Sequence, residues 1–157
     1  RRGVGYDRSG FTVNCMDFLI YSRKAIESAL PPVVPYVVIS ITTSPTDLAC
    51  LPPSSSCLGV LRLAFFDSDL PLDVEGPDGL FSRSDARQIW DFVLNHRERV
   101  RCIVLHCNAG LSRSPGVAAA LSNVLTGDDA ELFRRFHPNR RVYRTLLDVF
   151  HAEYSNR

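Results

Sequence analysis

Cys107 and Arg113 stand six residues apart in the stretch RCIVLHCNAGLSRSPGVAAALSNVL, residues 101–125. A cysteine thiolate is a strong nucleophile, and a guanidinium is a planar fork able to hold two oxygens of one phosphate. The loop CNAGLSR lies between an apolar, β-branched run and a helix-forming run. Backbone N–H groups of such a loop can converge on a point, and the helix N-terminus adds positive potential there. Gly110 permits positive φ or a close backbone approach. The spacing therefore predicts an anion cradle. A thiol at its entrance should ionise readily, which places a thiolate against a bound phosphate, as nucleophilic phosphoryl transfer requires.

With five cysteines and, beyond Lys24, seventeen arginines in 157 residues, a bare Cys-x5-Arg pair arises readily by accident. His106 before the cysteine, Gly110 in mid-loop, Ser114 after the arginine and the strand-loop-helix setting remove that reading. The segment HCNAGLSRS resembles the signature of the protein tyrosine and dual-specificity phosphatases, His-Cys-x-x-Gly-x-x-Arg-Ser/Thr, over its whole length. Element order extends the resemblance across about residues 35–150. The resemblance implies that Cys107 is the nucleophile forming a phosphocysteine and that Arg113 binds phosphate oxygens. It implies that Ser114 hydrogen-bonds the sulfur and helps it leave, and that His106 fixes the loop from beneath. Asn108, Ala109, Gly110, Leu111 and Ser112 would complete the substrate-binding loop with Arg113.

The resemblance also implies a general acid on a loop after an upstream strand. Asp67 is the first candidate because it directly follows the apolar run 59–66. Asp69 is the second, with Asp73 and Asp78 further along; the bland reading of any of them is a solvated loop charge.

These groups need a scaffold. Residues 35–41 (PYVVISI) and 59–66 (GVLRLAFF) read as buried strands. Between them, 42–57 is a loop rich in Ser, Thr and Pro. Residues 67–81 hold two prolines, two glycines and five acids, and so form a long surface loop of the kind that is usually functional. Ser82, with Asp85 three residues on, resembles a capping box. Ala86, Ile89, Trp90, Val93 and Leu94 then share one helical face, and the helix ends near 97–99. Residues 101–106 form a strand. Pro115 suits a first helical turn, Val117, Ala120, Leu121, Val124 and Leu125 share a face, and Gly127 closes the helix. Further helices are expected at 129–136 and 141–153. Strand, helix, strand, loop, helix predicts an α/β fold: a single domain over 1–157 with a central, mostly parallel sheet flanked by helices and a right-handed crossover. Both the acidic loop and the cysteine loop would then lie at the carboxyl edge of the sheet, where open α/β sheets bind ligands.

The composition is that of an ordinary soluble globular protein, and a net charge of +1 implies no strongly charged partner. The run RRFHPNRRVYR, 134–144, could attract nucleic acid or phosphorylated substrates. It reads first as a solvated helix junction turning at Pro138 and Asn139. Cys102 is read as a core side chain, with a resolving thiol under oxidation as the sharper alternative. Cys15, Cys50 and Cys57 are read as structural. His96, His137 and His151 lack metal-ligand spacing, so neither metal nor cofactor is expected. The first ten residues carry Arg1, Arg2, Asp7 and Arg8 without an apolar stretch, so no signal peptide is expected, and the thiols suit a reducing, cytoplasmic setting. The expected activity is a monomeric hydrolase of phosphorylated proteins or peptides, acting on phosphotyrosine, with phosphoserine and phosphothreonine left open, and with no nucleic acid and no membrane partner. Competing readings are a phosphatase of non-protein substrates (an RNA 5′ end, a phosphoinositide or a small ester) and a non-catalytic phospho-binding module. A serine hydrolase built on Gly110-Leu111-Ser112-Arg113-Ser114 lacks the second glycine of a nucleophile elbow.

Overall fold

In this computed structural model, residues 5–6, 12–13, 16–74 and 76–156 are described. Strands β1 (Gly5–Tyr6) and β2 (Thr12–Val13) form a small antiparallel pair. Four longer strands, β3 (Asp17–Ser22), β4 (Tyr36–Thr42), β5 (Cys57–Ala64) and β6 (Cys102–Cys107), make a sheet in the order β3-β6-β4-β5. Every pairing within it is parallel. The two inner strands, β4 and β6, are buried at every residue. That is why both read as near-continuous apolar runs, broken only by Ser40, Thr42 and His106, rather than as alternating ones.

Helix α1 (Arg23–Ile26) follows β3 directly. Helices α2 (Arg83–His96), α3 (Arg113–Thr126), α4 (Ala130–Arg135) and α5 (Arg140–Val149) follow, and α5 runs into a π-helical turn, Phe150–Tyr154. The main core lies between one sheet face (Val37, Ile39, Ile41, Ile103, Leu105 and Cys107) and α2, α3 and α5. Trp90 is fully buried there and donates its indole N–H to the Leu146 carbonyl at 2.9 Å, tying α2 to α5. On the other face, Tyr36, Val38, Cys102 and Val104 pack under Ile26 of α1 and under Leu51. Parallel neighbours β4 and β5 are thus joined by residues 43–56 without a helix, a segment long enough for a crossover.

Local signals hold where the backbone is self-sufficient. Ser82 and Asp85 exchange both bonds of the capping box, and Gly127 closes α3 with φ of 78°. Three boundaries differ from the sequence reading. Strand β5 ends at Ala64, so Phe65 and Phe66 stand between it and Asp67. Phe65 still donates its N–H to the Thr42 carbonyl at 3.1 Å, but Phe66 turns to the Gly79 carbonyl at 2.8 Å, closing the base of the acidic loop. Strand β6 runs one residue further and includes Cys107. The last helix divides at Val149 into α and π segments. Strand β3 and helix α1 were absent from the sequence reading altogether.

Candidate active site

Because the sheet is parallel, four strand ends open on one edge, and each of them reaches the loop 107–113. From β3, the Arg23 N–H bonds the Asn108 carbonyl at 3.0 Å. Gly110 lies on the same strand end with φ of +72°, and a Cβ built there would meet the Ser22 nitrogen and the Tyr21 carbonyl carbon at 2.8 Å. Beyond β4, the Thr43 hydroxyl accepts a bond from Arg113 Nη1 at 3.0 Å. Beyond β5, the Phe65 carbonyl accepts a second bond from the same nitrogen at 2.9 Å. Strand β6 supplies Cys107 itself.

Gly110→Ala should therefore displace the loop rather than fill space. A Cβ against backbone, in a left-handed conformation, is expected to cost about 2 kcal/mol of stability, read as a lower denaturation midpoint. Activity should fall further than stability, because the cradle depends on the loop's shape.

Cys107 is 2% exposed, at the base of the loop, and its Sγ accepts a bond from Ser114 Oγ at 3.1 Å. Arg113 is 6% exposed. Among the described residues no carboxylate lies within ion-pair distance of it; its guanidinium rests on neutral oxygens alone. A covered cation without a counter-charge is costly unless an anion completes it. Ser112 is the N-cap residue of α3, yet its side chain makes no capping bond. The first N–H groups of α3 thus stay available to an anion. The Ser112 hydroxyl turns instead to Asp67 Oδ1, at 2.8 Å.

His106 is fully buried on the opposite sheet face from Cys107. Its Nδ1 lies 3.3 Å from the Cys107 carbonyl, and its Nε2 2.6 Å from Ser40 Oγ. A carbonyl only accepts, so Nδ1 carries the proton and Nε2 accepts from Ser40. Burial pushes the imidazole below its usual range, so it is neutral and braces the loop from behind. The consequence for stability has a definite sign. Below about pH 6.5 the unfolded histidine takes up a proton that the folded one refuses. Unfolding is therefore favoured as the pH falls from 6.5 towards the depressed value, with a slope approaching about 1.4 kcal/mol per pH unit. Urea midpoints measured from pH 7.5 to 5 should show this decline, and His106→Gln should flatten it. Equal slopes in both proteins would assign the acid sensitivity to other groups.

Asp67 is exposed, and its Oδ1 accepts from Asn139 Nδ2 as well as from Ser112, both at 2.8 Å. Asp69 is two residues away but differently employed: its Oδ1 accepts the backbone N–H of Arg140 at 2.8 Å, holding the start of α5. Asp73 and Asp78 lie further along the loop. The structure thus brings Asp67, and not Asp69, onto the loop that holds Cys107.

Other candidates fall away from the site. Cys102 and Cys107 are five residues apart on one strand, so they face opposite sides of the sheet about 16 Å apart; Cys102 cannot resolve an oxidised Cys107 in this fold. Cys50 is exposed rather than part of the core, Cys57 opens β5, and Cys15 lies outside the described residues. In the basic run, Arg134 pairs with Glu131, and Arg141 donates to the carbonyls of Phe81, Leu70 and Pro71. These bonds make it largely a junction that secures the acidic loop. Ser40, Thr43 and Asn139 enter the site without having been singled out for it. Of these only Asn139 carried a local signal, since Pro-Asn before an apolar helical face is an N-cap pattern.

The chain has the dual-specificity phosphatase fold. It superposes on human DUSP28 with a TM-score of 0.58 at 18% identity, covering 89% of this chain and 95% of that one. A point variant of human DUSP28 gives the same score and identity, with 93% of its length covered. No family model matches the sequence, and no curated protein matches it.

Proposed function

We propose that this protein is a cysteine-dependent phosphatase that hydrolyses phosphate monoesters through a phosphocysteine intermediate. The observation that carries the reading is the pairing of a covered, carboxylate-free Arg113 with a hydroxyl-bonded Cys107 thiol, at the uncapped N-terminus of α3. Such a place binds a tetrahedral dianion and presents a sulfur to its phosphorus. The Cys107 thiolate attacks in line while Arg113 and the loop N–H groups of 108–113 hold the equatorial oxygens. Asp67 gives its proton to the leaving oxygen, and the alcohol departs. The resulting carboxylate then takes a proton from water as that water attacks phosphorus; phosphate leaves and the thiolate is restored. Ser114 stabilises the departing sulfur, and no cofactor takes part.

We take the substrate to be a phosphorylated protein or peptide, met as a monomer in the cytoplasm, where a reducing setting keeps Cys107 a thiol. Two features support this over a polyphosphorylated head group. Loop positions 108, 109, 111 and 112 are Asn, Ala, Leu and Ser, all uncharged. The neighbouring polar depression, about 170 Å³ and lined by Thr42, Thr43 and Asn108, contains one arginine, Arg23, already paired with Asp47 at 2.8 Å. A panel of phosphotyrosine, phosphoserine and phosphothreonine peptides, phosphoinositides and 5′-phosphorylated RNA, assayed with EDTA present, tests the reading. Peptides should turn over fastest and the chelator should change nothing. A preference for phosphoinositide or RNA would move the substrate class, and loss of all turnover in EDTA would exclude the mechanism.

A further inference from the structure

A guanidinium has five N–H donors, and the fold treats those of Arg113 unequally. Both hydrogens of Nη1 are taken, one by the Thr43 hydroxyl at 3.0 Å and one by the Phe65 carbonyl at 2.9 Å. Nε and Nη2 bond nothing among the described residues. No polar side-chain atom sealed from solvent is without a partner among those residues, so these two nitrogens reach the surface of an otherwise covered side chain. Arg113 thus turns one edge inward and the other outward. The outward edge is a planar fork that fits two oxygens of a tetrahedral anion.

Strand register sets the two inner acceptors side by side. Thr42 ends β4 opposite Ala64, which ends β5, and Phe65 donates its N–H back to the Thr42 carbonyl at 3.1 Å. Thr43 and Phe65 are therefore the first residues beyond two adjacent parallel strands. Thr42 Oγ1 donates to the Ser44 carbonyl at 2.9 Å and holds the bend that presents Thr43. The acceptors differ in kind. Phe65 offers a backbone carbonyl, which any residue would supply. Thr43 offers a hydroxyl, which depends on the residue being there. A carboxylate in its place would also hold Nη1, but it would offset the charge that the phosphate needs. A hydroxyl orients the guanidinium and leaves it fully cationic.

We propose that Thr43 is the positioning residue of the phosphate-binding guanidinium. Resting on the phosphatase reading above, it fixes the plane of Arg113 relative to Cys107. Phe65 alone restrains one hydrogen of Nη1, about which the planar group can still turn. The second acceptor removes that freedom and so aims the Nε–Nη2 fork. Without the Thr43 hydroxyl, an N–H of Nη1 loses its partner in a covered place, and the guanidinium turns to recover one. The fork then meets the equatorial oxygens out of line.

Thr43→Val keeps the shape of the side chain and removes the acceptor; Thr43 is exposed, so no hole is left in the core. kcat/KM should fall about 10- to 100-fold, the range expected when a hydrogen bond to a charged group is lost. The loss should be equal for an aryl phosphate with a good leaving group and an alkyl phosphate with a poor one, because Arg113 holds oxygens that do not leave. Affinity for inorganic phosphate, measured by titration calorimetry, should fall in step. Thr43→Ser restores the hydroxyl and should recover both quantities to within about threefold of the wild type. In an Arg113→Ala background, Thr43→Val should bring no further loss, since the group it aims has gone. Unchanged kcat/KM in Thr43→Val, no recovery in Thr43→Ser, a loss confined to the alkyl ester, or losses that multiply in the double variant would each overturn the positioning role while leaving the phosphatase reading intact. If Arg113→Ala by itself turns over substrate and binds phosphate as the wild type does, both fall together. Should Thr43→Val fail to fold, Thr43→Ala also lacks the acceptor and carries the same test.

Discussion

Cys107→Ser is expected to lower turnover by at least about 10⁴-fold while a phosphopeptide still binds, because the two depend on different parts of one loop. Binding rests on Arg113, on the backbone N–H groups and on the exposed start of α3, none of which uses the sulfur. Turnover needs a nucleophile, and a serine hydroxyl at 107 would have only the Ser114 hydroxyl beside its sulfur's former place, which is no base. His106 cannot serve, since it faces the other side of the sheet and is occupied by Ser40 and the Cys107 carbonyl. Titration calorimetry with a phosphopeptide, beside steady-state rates, separates the two quantities. Turnover within tenfold of the wild type would end the covalent mechanism. Loss of binding with retained folding would mean that the sulfur, rather than Arg113, organises the cradle.

Asp67→Asn is expected to slow an alkyl phosphate by about 10²–10⁴-fold and a good aryl leaving group far less. The amide keeps the size of the carboxyl but has no proton to give. The comparison with Asp69→Asn is informative because the two acids differ in employment and not in reach along the chain. Asp69 holds the first N–H of α5, so its amide should alter stability more than leaving-group sensitivity. If the dependence appears in Asp69→Asn and not in Asp67→Asn, the acid has been assigned to the wrong carboxylate.

The reasons given for Asp67 in the sequence and in the structure are not the same. The sequence favoured it for following a strand without a break. That ground fails, because β5 stops at Ala64 and the chain turns at Phe66 to pair with Leu80. What holds Asp67 is a pair of side-chain donors, one of them 72 residues away in sequence. No local pattern reports a contact of that separation, since it exists only once α5 has docked on α3.

The cysteine loop, its strand and its helix were legible from residues 101–127 because each is governed by neighbours: an apolar run, a glycine, a proline and an αL cap. The same holds for α2, where Ser82 and Asp85 satisfy one another across a single turn. Strand β3 was not legible. It lies at the sheet edge and is only half-covered, so DFLIYS has neither the continuous burial of β4 nor a clear alternation. Yet its end is what makes Gly110 obligatory, through backbone that a Cβ would strike. The sequence by itself determined the candidate reactive residues and the local elements that carry them, since Cys107, Arg113 and the helix start lie within one short segment. Only the tertiary structure decided which acid faces that segment, what keeps Arg113 covered and what braces His106. Those are set by parallel strand ends and by helix-on-helix contact, which bring together Ser40, Thr43, Phe65, Asp67 and Asn139 from positions that no spacing rule connects.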